Sequence, residues 1–528
     1  MSVSKVRLSI LSAAIGLVAI ALLWSSCDDN QPLRPPRVIL ISMDTVRADH
    51  VSGYGSATTT PVLASIAAEG VRFQNFYSAS SYTIPSTMSI LTGLDPQEHG
   101  MAAKATRLSP DVPLLAELMT DAGYRTQAFH EGGYVAGRFG FERGFAEYKE
   151  VPRIAAVDES LPEVTGWMRD NADEPYFLFI QTYAAHFPYG GMDRYRKDHP
   201  ERGLPDAGEL DRLRTELTDA KSKGLTEEER QRYALYNHFA EQHSDRVGGY
   251  RSLLSDFPDT KHFELDVEQM KSSYDERIRL IDSALGSLRA TLVELGQWED
   301  TLFVVVSDHG EAFFEHGLEQ HDYVPFNECF KVPAVISYPR VLRERSGHVI
   351  EGLAWHLDLV PTILALTGQD ARPNLRGRDL SSVLLGLDEI EADRAIYPAV
   401  LKVAFRAQAD SLRRLVIQGD DKWVEGHELF GDAEGLLFDL GDDPGEHTNL
   451  RENNPDRFDE LAGMATRYEG QLVKYLPVHQ DTSEVIDPNS DVAPPKLTPA
   501  EEDALYGLGY GLGFEDEDNE AEQKPKKD

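Results

Sequence analysis

Cysteine is the scarcest residue in this chain, with only Cys27 and Cys329 in 528 positions. That pair builds no disulfide framework, so stability has to come from a packed core. Positive charge is also short: 52 Lys and Arg stand against 89 Asp and Glu, a formal net charge of −37. No basic cluster interrupts that field, which repels phosphate backbones and excludes nucleic acid as a partner. What remains is ordinary for a globular protein, with 41% hydrophobic, 27% charged and 9% aromatic residues. The length suits one large α/β unit with appendages.

The first residues, "MSVSKVRLSILSAAIGLVAIALLWSSCDDN", place Lys5 and Arg7 before an apolar run from Leu8 to Trp24, followed by small residues and Cys27. This is the layout of an export signal, and the run is at the short end for a membrane span. "LWSSC" resembles a bacterial lipoprotein cleavage site, so Cys27 is the expected lipidated residue of an exported, envelope or periplasmic protein tethered to a membrane through Cys27 or, alternatively, through an N-terminal helix. Residues 1–36, ending in the Pro-rich "QPLRPP", therefore read as anchor and linker. Cys329 reads as a small buried apolar residue.

Four apolar runs follow: "RVILIS" (37–42), "PYFLFIQTYAAHF" (175–187), "TLFVVVSDHG" (301–310) and "VPAVISYP" (332–339). Continuous rather than alternating apolar strands predict a sheet covered on both faces, hence a mostly parallel α/β architecture. Helical patterns lie between them at 60–70, 111–124 and 275–296, the last with Ile278, Ile281, Leu285 and Leu288 on one face. The resulting division is a catalytic domain over 37–400 with a charged helical insertion at about 190–265. A small antiparallel α+β subdomain over 401–476 and an acidic tail over 477–528, disordered at its end, complete it.

In open α/β sheets ligands bind beyond the carboxyl ends of the strands. Asp44, His186 and the pair Asp308–His309 all fall at such ends. "YTIPSTMSILTG" (82–93) has the punctuation of a helix, Pro85 near its start and Gly93 past its end, so its free N–H groups make an anion cradle with Thr83 at the mouth. Two carboxylates and an imidazole suit a divalent metal, Mn²⁺ or Zn²⁺ ahead of Ca²⁺ or Mg²⁺. Asp44, Thr83, Asp308 and His309 are the expected ligands, and the metal would make the Thr83 hydroxyl a nucleophile near neutral pH.

These segments resemble the sulfatase family of the alkaline-phosphatase superfamily. The resemblance runs through "VILISMDTVRADHVSGYG", "FQNFYSASSYTIPSTMSILTGLDPQEHG", "YAAHFPY", "WEDTLFVVVSDHGEAFFEHG", "HLDLVPTILALTG", "LLFDLGDDPGEHTNL" and "ALYGLGY", in that order. It implies a hydrolase of sulfate or phosphate esters. It also departs from the sulfatase pattern. Thr83 heads the Thr83-Ile84-Pro85-Ser86-Thr87 segment where sulfatases carry the Cys or Ser that becomes formylglycine, so the aldehyde-hydrate mechanism is disfavoured. Thr45 replaces the second Asp of the family's Asp-Asp pair, His309 replaces an Asn, and Thr182 stands where two-metal relatives carry Asp; together these imply one metal ion.

His186 matches the family's substrate-side His, His321 approximates the position of a substrate-binding Lys, and His316 lies beside it in the same loop. All three are candidate catalytic groups, for leaving-group protonation or anion binding. Arg47 and His130 are candidate substrate-binding residues. The expectation is an exported metal-dependent hydrolase using Thr83. Its rivals are a phosphoethanolamine- or phosphoglycerol-type transferase acting on envelope glycans, and a non-catalytic envelope binding protein that keeps the fold.

Overall fold

The computed structural model describes residues 35–55, 59–101, 106–151, 157–187, 189, 260–321, 324–370, 372, 375–401, 412–426 and 434–479. The anchor with Cys27, most of the 190–265 insertion and the tail with "ALYGLGY" lie outside them. The chain divides into two compact units. One is Met1–His186, Tyr274–Ala312 and Gln320–Pro495; the other is Phe187–Ser273, Phe313–Glu319 and Lys496–Asp528.

The first unit is organised by an eight-stranded sheet. Its strands are β1 (Arg37–Met43), β2 (Val71–Phe73), β3 (Arg125–His130), β4 (Glu147–Glu150), β5 (Tyr176–Thr182), β6 (Thr301–Ser307), β7 (Ala334–Ser337) and β8 (His348–Ile350), in the order β8-β2-β7-β6-β1-β5-β3-β4. Strand β1 lies between β5 and β6, parallel to both, and β3 extends the parallel set to β4. All seven residues of β1 and of β6 are buried, as continuous β-branched runs require in a sheet covered on both faces. The fourth apolar run departs from the parallel expectation, because β7 runs antiparallel to both β6 and β2. Among the described residues, the chain between β6 and β7 has no long crossover helix to reverse its direction, which a parallel return needs.

Helices lie between and after the strands. They include α1 (Pro61–Glu69), α2 (Thr83–Thr92), α3 (Thr260–Glu294), α4 (Leu359–Leu366) and α5 (Pro455–Glu469). Ile278, Ile281, Leu285 and Leu288 of α3 are all buried. Asp282 on the same helix accepts from the Val62 and Leu63 amides at 2.9 and 2.8 Å, satisfying two otherwise unpaired donors at the start of α1.

The predicted C-terminal antiparallel sheet is present, built from β9 (Ala395–Ile396), β10 (Ala399–Leu401), β11 (Leu412–Gln418), β12 (Asp421–Val424) and β13 (Leu436–Asp439). Helix α5 packs on it through Leu461 and Ala465 against Val416, Trp423 and Leu437. Two buried ion pairs anchor this sheet, the first to the segment after α2. Arg414 reaches Asp95 at 3.0 Å, three residues after α2 ends, and Lys422 reaches Glu446 at 2.6 Å, whose other oxygen accepts from the Asn327 amide. In the second unit, Tyr189 packs between Phe187 and Phe313, and Lys271 pairs with Glu315 at 2.8 Å.

Candidate active site

The central strands deliver the site. Strands β1 and β6 pair Met43 with Ser307, so the next residues, Asp44 and Asp308, leave the sheet side by side. With His309 they form a fully buried trio whose ligand atoms lie within 4.8 Å of one another. Helix α2 begins at Thr83, and the Thr83 hydroxyl stands 3.4 Å from Asp44 Oδ2 and 3.2 Å from His309 Nε2. All four expected metal-site residues are thus brought together.

The hydrogen-bond pattern fixes how they face. His309 Nδ1 lies 2.9 Å from the Gly310 carbonyl, which can only accept, so that nitrogen carries the proton and Nε2 turns a lone pair toward Thr83. Asp308 Oδ1 is occupied by the Thr45 and His309 amides at 3.2 and 2.8 Å. Asp44 Oδ1 and Asp308 Oδ2 have no hydrogen-bond partner among the described residues, although both are buried. Burial, then mutual repulsion, holds the Asp44 carboxyl well above its ordinary range, and burial raises Asp308 too. Burial pushes His309 down to about 3, which keeps the imidazole neutral. Two orphaned carboxylate oxygens and a neutral imidazole fit a divalent cation, which would complete their coordination and remove the repulsion.

Behind these groups two more histidines brace α2. His356 Nδ1 accepts from the Ala79 amide at 3.1 Å, so Nε2 carries the proton and donates to the Ser307 carbonyl at 2.9 Å. The Ser86 hydroxyl lies 3.1 Å from the same Nδ1 and donates to the Asp308 carbonyl. Helix α2 and the segment after β6 are therefore tied through one ring. On the far side His99 Nδ1 accepts from the Met101 amide, and its Nε2 faces the Pro85 carbonyl at 3.2 Å and the Ser89 hydroxyl at 3.1 Å. Burial lowers His356 to about 3 and His99 to about 4. Gly310 is required by close approach: a Cβ there would sit 1.8 Å from the Glu328 carbonyl oxygen.

His186 and His321 join the site. Their rings lie 5.3 Å apart, and the His321 ring is 4.4 Å from that of His309. His321 Nδ1 pairs with Glu311 at 2.9 Å, which orients the ring. Arg47, His130 and His316 are the remaining expected residues. The Arg47 guanidinium binds Asp49 at 2.9 and 2.7 Å and the Glu311 carbonyl at 3.0 Å. His130, at the end of β3, stacks on Tyr148 at 4.1 Å and accepts from the Gly132 amide, and burial lowers it to about 4. His316 belongs to the second unit, with a left-handed backbone at φ 56. Cys329 is buried, as expected of a small apolar residue.

Sequence reasoning missed Glu311, His356 and His99. Glu311 follows the Asp308–His309 pair by two residues, and that proximity was its available signal. His356 lies in the recognised "HLDLVPT" segment, but no spacing in the sequence points it at α2. Thr45, seen only as a lost carboxylate, instead donates its amide to Asp308.

A model of the Sulfatase family matches residues 36–369. The chain is similar to an N-acetylglucosamine-6-O-sulfatase of Bacteroides thetaiotaomicron, 22% identical over 489 residues, covering 82% of this chain and 86% of that protein. It is similar to the multifunctional alkaline phosphatase superfamily protein PehA of Trinickia caryophylli, 25% identical over 490 residues, covering 78% and 90% respectively. Its fold is that of the phosphonate monoester hydrolase of Agrobacterium radiobacter, with a TM-score of 0.63 at 20% identity over 83% of this chain and 96% of that one.

Proposed function

The chain belongs to the sulfatase family and is an ester hydrolase, and on that premise we propose that it uses the Thr83 hydroxyl as its nucleophile on sulfuric or phosphoric esters. The observation that carries this reading is the placement of Thr83 Oγ1 at 3.4 Å from Asp44 and 3.2 Å from the His309 lone pair, at the first residue of α2. Asp44, Asp308, His309 and Thr83 would hold a single divalent cation, Mn²⁺ or Zn²⁺ preferred, which would supply the positive charge that makes the hydroxyl acidic. Thr83 Oγ1, its proton released to solvent, forms the new bond to sulfur or phosphorus as the bond from that atom to the leaving ester oxygen breaks, and the N–H groups opening α2 take up the anionic charge. His321, which pairs with Glu311, and His186 beside it would supply a proton to the departing oxygen. Water then releases the acid from Thr83 by the reverse sequence.

Phosphate esters suit this nucleophile better than sulfate esters, since Thr83 occupies the position at which sulfatases carry an oxidisable Cys or Ser. Similarity to PehA is in keeping with a phosphoester or mixed specificity. The signal-like N-terminus supports export with a lipid tether on Cys27. No helix among the described residues is long and apolar enough to cross a membrane.

The test is a paired assay of p-nitrophenyl phosphate, bis-p-nitrophenyl phosphate and p-nitrophenyl sulfate across Mn²⁺, Zn²⁺ and Ca²⁺. Thr83→Ala should fold, bind metal more weakly and turn over none of the three. Hydrolysis by that variant at the wild-type rate would remove Thr83 from the mechanism.

A further inference from the structure

Thr45 is bent where a β-branched residue resists bending. Its φ is 59, in the left-handed region that Gly adopts freely and Thr does not. The bend has a visible use: it turns the Thr45 amide toward Asp308 Oδ1 at 3.2 Å while Asp44 keeps its carboxylate in the trio. Something must hold Thr45 there.

The holding group is Tyr274, a fully buried residue of α3. Its hydroxyl donates to the Thr45 carbonyl at 2.7 Å and accepts from the Arg47 amide at 2.8 Å. One oxygen therefore staples two backbone groups from either side of Val46. The ring is itself fixed. His50 packs edge-on at 5.0 Å, and the His50 imidazole is anchored at 2.6 Å by Asp275, the next residue along α3. Further support comes from Ser307, whose Oγ accepts from the Val46 amide at 2.9 Å. The Thr45 hydroxyl meanwhile donates back to the Asp44 carbonyl at 2.8 Å.

We propose that Tyr274 is a positioning residue for the metal centre, stapling the Asp44–Arg47 bend so that Asp44 and the Thr45 amide meet Asp308 in register. The proposal rests on the metal-site reading above. Strained backbone persists only where its surroundings over-determine it, and the staple is that over-determination. Without the hydroxyl, Thr45 relaxes toward extended backbone and carries Asp44 out of line.

The test is metal affinity, measured by titrating Mn²⁺ and Zn²⁺ into the chelator-stripped full-length protein. Tyr274→Phe should weaken binding about 10–100-fold, the usual effect of losing an outer support of a metal site. Thr45→Gly, which accepts the bend without strain, should stay within about threefold of wild type and should restore most of the loss when combined with Tyr274→Phe. If Tyr274→Phe does not fold, the other end of the staple carries the test. Thr45→Val keeps the backbone groups that Tyr274 holds and loses only the hydroxyl bond to Asp44, so it should bind within about threefold of wild type. Wild-type affinity in Tyr274→Phe, no rescue by Thr45→Gly, or a loss of about 10-fold or more in Thr45→Val, which would give the bend to the Thr45 hydroxyl, would overturn the staple alone. A wild-type protein that takes up neither ion would overturn the metal reading, and the staple with it.

Discussion

The histidines that brace α2 make acid stability a sharp test of the structure. Consider His356→Asn in protein stripped of metal with a chelator, so that metal loss does not contribute. In the native state the His356 ring is fully buried and lowered from an ordinary 6.5 to about 3, first by desolvation. The unfolded chain takes up its proton near pH 6.5, whereas the native ring does not. Stability is therefore fully present above pH 6.5 and drains away as pH falls toward about 3. Between pH 7.5 and pH 5 this linkage costs wild type about 2 kcal/mol at 1.36 kcal/mol per unit. Asn does not titrate and is exempt.

At pH 7.5 the variant should be the weaker protein by about 1–3 kcal/mol, because the Ser307 carbonyl loses its buried donor. At pH 5 the gap should shrink by about 2 kcal/mol, so that the two proteins unfold at similar denaturant concentrations. Urea unfolding followed by tryptophan fluorescence at the two pH values reads this double difference directly. A gap constant to within about 0.5 kcal/mol would refute the reasoning, since the ring would then take up its proton alike in the native and unfolded chains.

The other predictions concern the site and its supports. Asp308→Asn should lower metal affinity and hydrolysis together by about 10³-fold or more, and chelation of wild type should abolish turnover reversibly, as followed by metal analysis alongside p-nitrophenyl ester assays. Glu311→Gln should lower kcat about 10–100-fold with metal affinity nearly unchanged, because it disturbs only the orientation of His321; an equal loss of metal binding would argue against that role. Lys422→Met strands Glu446 in the interior and should cost about 3–5 kcal/mol in chemical denaturation, with Glu446→Gln in the same chain recovering part of it.

What could be read from the sequence followed chain locality. Strands β1, β5 and β6 announced themselves as unbroken apolar runs, and the residues at their ends, Asp44, His186 and Asp308–His309, were legible because strand ends in such sheets face ligands. The Thr83 helix start was legible from Pro85 and Gly93. The reversed direction of β7 was not, since an apolar run carries no sign of which way it runs beside its neighbour. The supports were less legible still. Ser86 and His356 are 270 residues apart and Tyr274 is 229 from Thr45, so no local pattern marks those pairs. Arg47 and His130 were singled out by their charge and place in the chain. Their partners, Asp49 and Tyr148, are decided by packing that the sequence does not display.

The adjacency of Met43 and Ser307 has a consequence for adaptability. Because Asp44 and Asp308 each follow a rung of one parallel ladder, their separation is inherited from the lattice constant of a sheet, about 4.8 Å, and not from any loop that drift could lengthen. Insertions elsewhere in the chain leave that gauge untouched. A new ion preference would therefore have to arise by exchanging donor atoms on a fixed grid, and selection for a different metal should find its answers at positions 45, 83 and 309 before it finds them in the strands.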